Sequence, residues 1–189
     1  KSKLSKRKGD VAVREYREKG FLPEALLNYI GVLGWTPPSG KEIMTLTEMT
    51  AEFELEHLHK SGAVFDTEKL RWFNRHYLSQ LDEKSFATEA TRILRESLEK
   101  RAIPWQESIG KALTPVVRER ISVWEDLREL LQAGEFDFFF VEPDVDVREL
   151  PEKKSTPKDA ARHLHAVAQL LADIPPEAFG NPERIKASL

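Results

Sequence analysis

Helical periodicity, cut at short intervals by proline and glycine, constrains this chain more than any other feature. Over residues 67–78, Leu70, Phe73 and Tyr77 recur at the three- and four-residue spacing of one helix face, with Asp66 ahead of them as an N-terminal cap. Lys69, Trp72 and His76 fall on another stripe of the same helix. Upstream, residues 11–19 predict a short helix stopped at Gly20, and Phe21-Leu22-Pro23-Glu24 begins a longer one. Proline suits a first helical turn because its missing N–H would have no partner there, and Glu24 meets the positive end of the helix dipole. Leu26, Leu27, Tyr29, Ile30, Val32 and Leu33 make this second helix apolar on most of its surface, so it is expected to be buried, with Gly34 as its C-terminal cap.

The rest of the chain reads the same way. Residues 35–40 form a turn cluster, and Thr45 or Thr47 caps a helix reaching about Glu54. Ala63-Val64-Phe65 is a short apolar segment. From Leu81 the helices become longer: residues 86–100 place Phe86, Ile93, Leu94 and Leu98 on one side. Helices over 105–113 and 116–132 come next, with Pro104 and Pro115 as breakpoints. Residues 136–141 are a dense aromatic patch, 142–155 an acidic, turn-like stretch, and Thr156-Pro157 opens a last helix through Leu171. The predicted fold class is mainly α, with a junction near Leu81 that divides residues 1–81 from residues 82–189.

Composition adds exclusions. An apolar fraction of 40% over 189 residues is enough for a packed core. The net charge of −3, from 29 Lys and Arg against 32 Asp and Glu, gives no overall basic signal, although a local cationic face can still meet phosphate. The absence of cysteine removes disulfides, thiol catalysis and thiolate metal sites. No apolar run approaches the roughly 20 residues needed to cross a bilayer, and no signal segment opens the chain, so the expected compartment is the cytoplasm, or an organelle whose import sequence has been removed. His57 with His59, and His163 with His165, are two residues apart and face different ways on a helix, which argues against zinc. Asp144 and Asp146 lack the ligand count and glycine of a calcium loop. No metal site is expected.

Chemistry concentrates in Lys3-Leu4-Ser5-Lys6-Arg7. Five such residues alone describe a solvated basic loop. The segments downstream of them are specific: Tyr16-Arg17-Glu18-Lys19-Gly20-Phe21-Leu22-Pro23-Glu24-Ala25-Leu26-Leu27-Asn28-Tyr29-Ile30, then Leu33-Gly34-Trp35, Glu42-Ile43-Met44-Thr45-Leu46, Lys60-Ser61-Gly62-Ala63-Val64-Phe65-Asp66 and Lys69-Leu70-Arg71-Trp72-Phe73-Asn74-Arg75-His76-Tyr77. In that order the chain resembles the bacterial-type glutamyl-tRNA synthetases, collinearly to about Leu78, and the opening string resembles the KMSKS loop of class I synthetases. The resemblance implies a loop binding ATP through Lys3, Leu4, Ser5, Lys6 and Arg7. Adenylation expels pyrophosphate, and mobile ammonium groups that meet the growing charge favour the transition state over the ground state. Lys3 and Lys6 take that role, with Ser5 holding the loop.

The resemblance further implies a stem-contact helical domain over residues 1–81 and an α-helical anticodon-binding domain over 82–189. The parent would be a glutamate–tRNA ligase with ATP, magnesium, glutamate and tRNA(Glu) as its partners, working as a monomer. Because the chain starts at Lys1 inside this loop, it is expected to be a fragment that binds tRNA without catalysing. An Ala-Leu-Thr-Gly-like stretch of the second helical subdomain is not found, so part of the anticodon reader is expected to be missing. Candidate RNA contacts are Lys69, Arg71, Trp72, Arg75 and His76, where cations meet backbone and an indole packs on a sugar or base. Where an arginine before an aromatic stretch is expected to read the last anticodon base, this chain has Asp137 followed by Phe138, and a carboxylate can accept from a cytosine amino group. Most of the aromatic patch is expected to be core. Two alternatives stand: a non-catalytic RNA-binding or adaptor module, and a helical protein-interaction domain. The last of these predicts no cationic face around residues 69–76.

Overall fold

The periodicities become helices in a computed structural model, which describes residues 12–151, 155–175, 179, 183, 185 and 186. Lys3, Leu4, Ser5, Lys6 and Arg7 lie outside these residues. The first helix, α1 (Val13–Glu18), ends in a loop through Gly20, and α2 (Pro23–Gly34) starts on its proline. In α3 (Leu46–Glu52) the cap is Thr45, not Thr47: its hydroxyl accepts from the Glu48 N–H, and the Glu48 carboxylate accepts from the Thr45 N–H. A single 3-10 turn comes next at Leu55–His57. In α4 (Thr67–Gln80) the Asp66 carboxylate takes the first free N–H groups, as its sequence position predicts.

The helix after the junction starts three residues earlier than its apolar pattern, because Asp82 caps it: α5 runs Glu83–Lys100. Beyond it the expected division fails in an instructive way. α6 (Glu107–Arg120) runs straight through Pro115, and the break comes at residues 121–123, before α7 (Trp124–Gln132). Pro115 frees the Lys111 carbonyl, and both residues lie on the exposed face where water can satisfy it. At the break, buried Ile121 and Val123 are extended, and the Asp126 carboxylate holds the N–H groups of Ser122 and Val123. The last helix, α8 (Pro157–Ala172), carries a Thr156 and Asp159 capping box.

The chain forms two compact units, Lys1–Glu142 and Pro143–Leu189. Leu81, the expected junction, falls within the first unit, between α4 and α5. Within that unit Tyr16, Phe21, Ala25, Tyr29, Leu70, Phe73 and Val123 make one hydrophobic cluster, dominated by α2 on α4. Leu78, Phe86, Leu94, Leu98, Val117, Leu127 and Phe136 belong to a second, where α5 packs on α6 and α7. Among the described residues no helix is long and apolar enough to cross a bilayer.

One expectation of burial is corrected. Ala25, Asn28 and Tyr29 of α2 are buried, but Leu27 and Ile30 are exposed. With Val13, Phe21, Pro23 and Leu26 they line an open apolar groove of about 630 Å³. The helix is more apolar than its packing within this chain uses.

Candidate RNA-binding face

The faces of α4 divide the candidate residues. Leu70, Phe73, Asn74 and Leu78 point inward and are fully buried. Trp72 points outward, 49% exposed, with its ring edge-on to Phe73 at 5.0 Å. One turn on, the exposed Arg75 donates from Nη2 to the Glu119 carbonyl at 2.9 Å, close to the C-terminal end of α6. Among the described residues no carboxylate pairs with Arg75, so its charge is offset only by helix-end carbonyls. His76, half-buried, is 2.8 Å from the Gln80 amide nitrogen through Nε2. Since that amide donates, Nε2 is the accepting nitrogen of the ring.

Lys69 and Arg71 are differently placed. Lys69 reaches Glu42 at 2.6 Å, but both groups are exposed, and such pairs exchange easily for another anion. Arg71 turns inward instead: its Nη2 sits 2.9 Å from each oxygen of Asp126, which is also bonded to Ser122 and Val123. It borders a groove of about 610 Å³ whose walls include Glu15, Glu18, Glu125 and Glu129, a poor approach for phosphate. The geometry of Arg71 is that of an anchor between α4 and α7. The cationic character around residues 69–76 is thus narrower than the sequence suggests, and centres on Trp72 and Arg75.

A neighbouring cation had no sequence signal beyond its charge. Arg118 of α6 donates to the carbonyls of Ser79 at 3.0 Å and Leu81 at 2.8 Å, and its guanidinium lies 4.1 Å over the Phe86 ring. It closes the C-terminal end of α4 and fixes the bend into α5. Its partners are carbonyls and a ring, so it adds positive charge to the seam that holds Arg75.

At the aromatic patch the expectation divides by residue. Phe136 and Phe140 are buried, and Phe140 stacks on Trp105 at 5.8 Å. Phe138, 58% exposed, and Phe139 contact each other at 4.2 Å on the outside. Asp137 is engaged on both carboxylate oxygens by Arg101, whose Nη1 also donates to the Leu131 carbonyl at 2.6 Å. The group offered beside Phe138 is therefore an Arg–Asp pair. The hydrogen bond to Asp137 holds the Arg101 pKa above its ordinary value, so the guanidinium is charged throughout the working range.

His59 takes a structural role: its ring bonds the Leu33 carbonyl at 3.2 Å and the Thr36 hydroxyl at 2.7 Å. Among the described residues no group of three or more His, Asp or Glu side chains is arranged to hold a metal.

Comparison with known proteins places the chain among relatives of one family. Residues 1–72 match the family described as tRNA synthetases class I (E and Q), catalytic domain. The glutamate–tRNA ligase of Alkaliphilus metalliredigens is 36% identical over 190 residues, covering 95% of this chain and 36% of that protein. That of Natranaerobius thermophilus is 32% identical over 200 residues, covering 100% of this chain and 38% of the relative. The crystal structure of a glutamate tRNA ligase from Elizabethkingia meningosepticum, in complex with its amino acid, superposes with a TM-score of 0.67 at 28% identity, over 100% of this chain and 38% of that one. This chain spans little more than a third of the length of these relatives.

Proposed function

The chain belongs to the glutamyl-tRNA synthetase family, and from that premise we propose that it is the tRNA-gripping part of a glutamate–tRNA ligase. The whole enzyme activates glutamate with ATP and magnesium and transfers it to tRNA(Glu) in the cytoplasm. The observation that carries the reading is the outer face of α4, where an exposed indole stands one helical turn from an arginine that no carboxylate among the described residues neutralises. An indole face accepts a sugar or an unstacked base, and a guanidinium bridges phosphate oxygens. Lys69 releases Glu42 to join them, and His76 borders the same face. Residues 1–81 would take the inner corner of the tRNA and residues 82–189 the anticodon arm, with Phe138 as a stacking surface beside the Asp137–Arg101 pair. In the whole enzyme ATP supplies the activating adenylation; Lys3, Ser5 and Lys6 are the residues of this chain proposed to serve it.

The test is a comparison of charge changes at two arginines one turn apart on α4, one held by Asp126 and the other free of carboxylates among the described residues. Arg75→Glu is expected to weaken tRNA binding at least tenfold and to lower the dependence of the dissociation constant on salt, on the order of one counterion. Arg71→Gln removes a cation four residues away and is expected to leave binding within about twofold while lowering stability by roughly 1–3 kcal/mol, the scale of a lost charge-assisted hydrogen bond in a partly buried place. Equal loss of binding for both would contradict the assignment of the outer face.

A further inference from the structure

The inner face of α4 does something that packing alone does not require. Gly20, in the loop after α1, has φ +82°, and a Cβ there would lie 2.5 Å from the Trp124 Cβ. This close approach lets the first turn of α7 donate backward, Trp124 N–H to the Gly20 carbonyl at 3.5 Å and Glu125 N–H to the Lys19 carbonyl at 3.1 Å. Helix-start N–H groups normally turn to water or a side chain; here they close onto the loop of a helix more than a hundred residues upstream. Asn74 of α4, fully buried, completes the joint. Its Oδ1 accepts the Leu22 N–H at 2.7 Å, and its Nδ2 donates to the Ser122 carbonyl at 2.5 Å. One amide therefore grips the turn that opens α2 and the turn that opens α7. The two hydrophobic clusters meet here as well, Val123 belonging to the first and Trp124 to the second.

We propose that Asn74, acting with Gly20, is a positioning residue that makes α1 and the α5–α7 cluster respond as one piece. RNA held by Trp72 and Arg75 on the outer face of α4 is then registered at α1, the first described helix after the Lys3–Arg7 string. The coupling has a short physical route. Trp72 and Arg75 lie within one helical turn of Asn74, and Asn74 bonds backbone in both turns it joins. This inference rests on the tRNA reading given above for its ligand, but the clasp itself exists without RNA.

Residue-resolved amide hydrogen exchange on this chain, free and with tRNA(Glu), tests it. In the wild type, tRNA is expected to slow exchange in α1 and at Leu22 and Glu125. Asn74→Asp keeps the acceptor for Leu22 but loses the donor to Ser122. Without tRNA it should leave Leu22 protected and speed exchange of Trp124 and Glu125 about tenfold, the scale of one unmade buried hydrogen bond. With tRNA it should retain affinity within about twofold and lose the slowing at α1. Gly20→Ala, which forces Trp124 away and leaves Asn74 intact, should lose the same slowing. Faster exchange spread evenly over both clusters in the tRNA-free variants would reduce Asn74 to a stabilising residue and overturn the proposal. So would slowing at α1 that persists in both variants. Wild-type chain that binds no tRNA would overturn the tRNA reading instead, while the tRNA-free exchange pattern still judges the clasp.

Discussion

Two asparagines show how much single residues decide here. Asn28, on the buried side of α2, donates from Nδ2 to the Glu42 carbonyl at 2.9 Å and accepts the Met44 N–H at 3.0 Å and the Tyr77 hydroxyl at 2.9 Å. It stitches the loop before α3 to α2 and α4. Asn28→Leu is expected to lower unfolding free energy by about 2–4 kcal/mol in urea titrations, because two backbone groups lose their only side-chain partner in a buried place. Burial of this side chain and of Asn74 has only a faint signal in the sequence. Asn28 is a polar residue set in an otherwise apolar run, whereas Asn74 follows Phe73 and precedes the polar Arg75 and His76, and only its helical register points inward. The same limit applies to Arg71 and Asp137. Their residue types suit RNA contact, but only tertiary structure reveals that Asp126 and Arg101 occupy them, from 55 and 36 positions away. Trp72 was legible, because its stripe on α4 is separate from that of Leu70 and Phe73.

Helix positions were largely legible and helix ends less so. Caps carried the correct part: Thr45, Asp66 and Thr156 each open the helix that their side chains predict. Pro115 misleads at α6 and α7, because the interruption is set by Asp126 and two β-branched residues several positions later. Pro115 sits mid-helix without a backbone N–H, so Pro115→Ala is expected to restore a bond to the Lys111 carbonyl. The gain should be about 1–3 kcal/mol, read as a higher urea midpoint with an unchanged slope. Asp82 makes the second prediction at this scale. The Ser85 hydroxyl first, and the Ser85 N–H after it, hold its carboxyl below the ordinary range. With a folded pKa that is depressed, its contribution is full above the unfolded value near about 3.9 and is lost as pH falls through the folded one. Asp82→Ala should therefore lower the Tm by several degrees at neutral pH, and by progressively less as melts are run at pH values below the ordinary carboxylate range.

At the scale of the molecule, the fold class and the family were open to a reader of the sequence because both are written in local patterns. Helix periodicity needs a dozen residues, and the collinear stretch from Tyr16 to Tyr77 is dense enough to be specific. Charge distribution was not open in this way. A chain of net charge −3 binds nucleic acid only through the difference between its faces, and that difference appears once carboxylates find their partners. The acidic groove beside Arg71 and the uncompensated Arg75 lie one turn apart on the same helix, separated by the partners each guanidinium finds.

The central claim is tRNA recognition, and its most direct test is fluorescence anisotropy of labelled tRNA(Glu) titrated with this chain at low and physiological salt, beside the same tRNA with an exchanged anticodon. The account predicts salt-sensitive binding that weakens when the anticodon is exchanged, with backbone contact at Trp72 and Arg75 and some reading of bases near Phe138. Saturation-free curves for both RNAs even at low salt would contradict it.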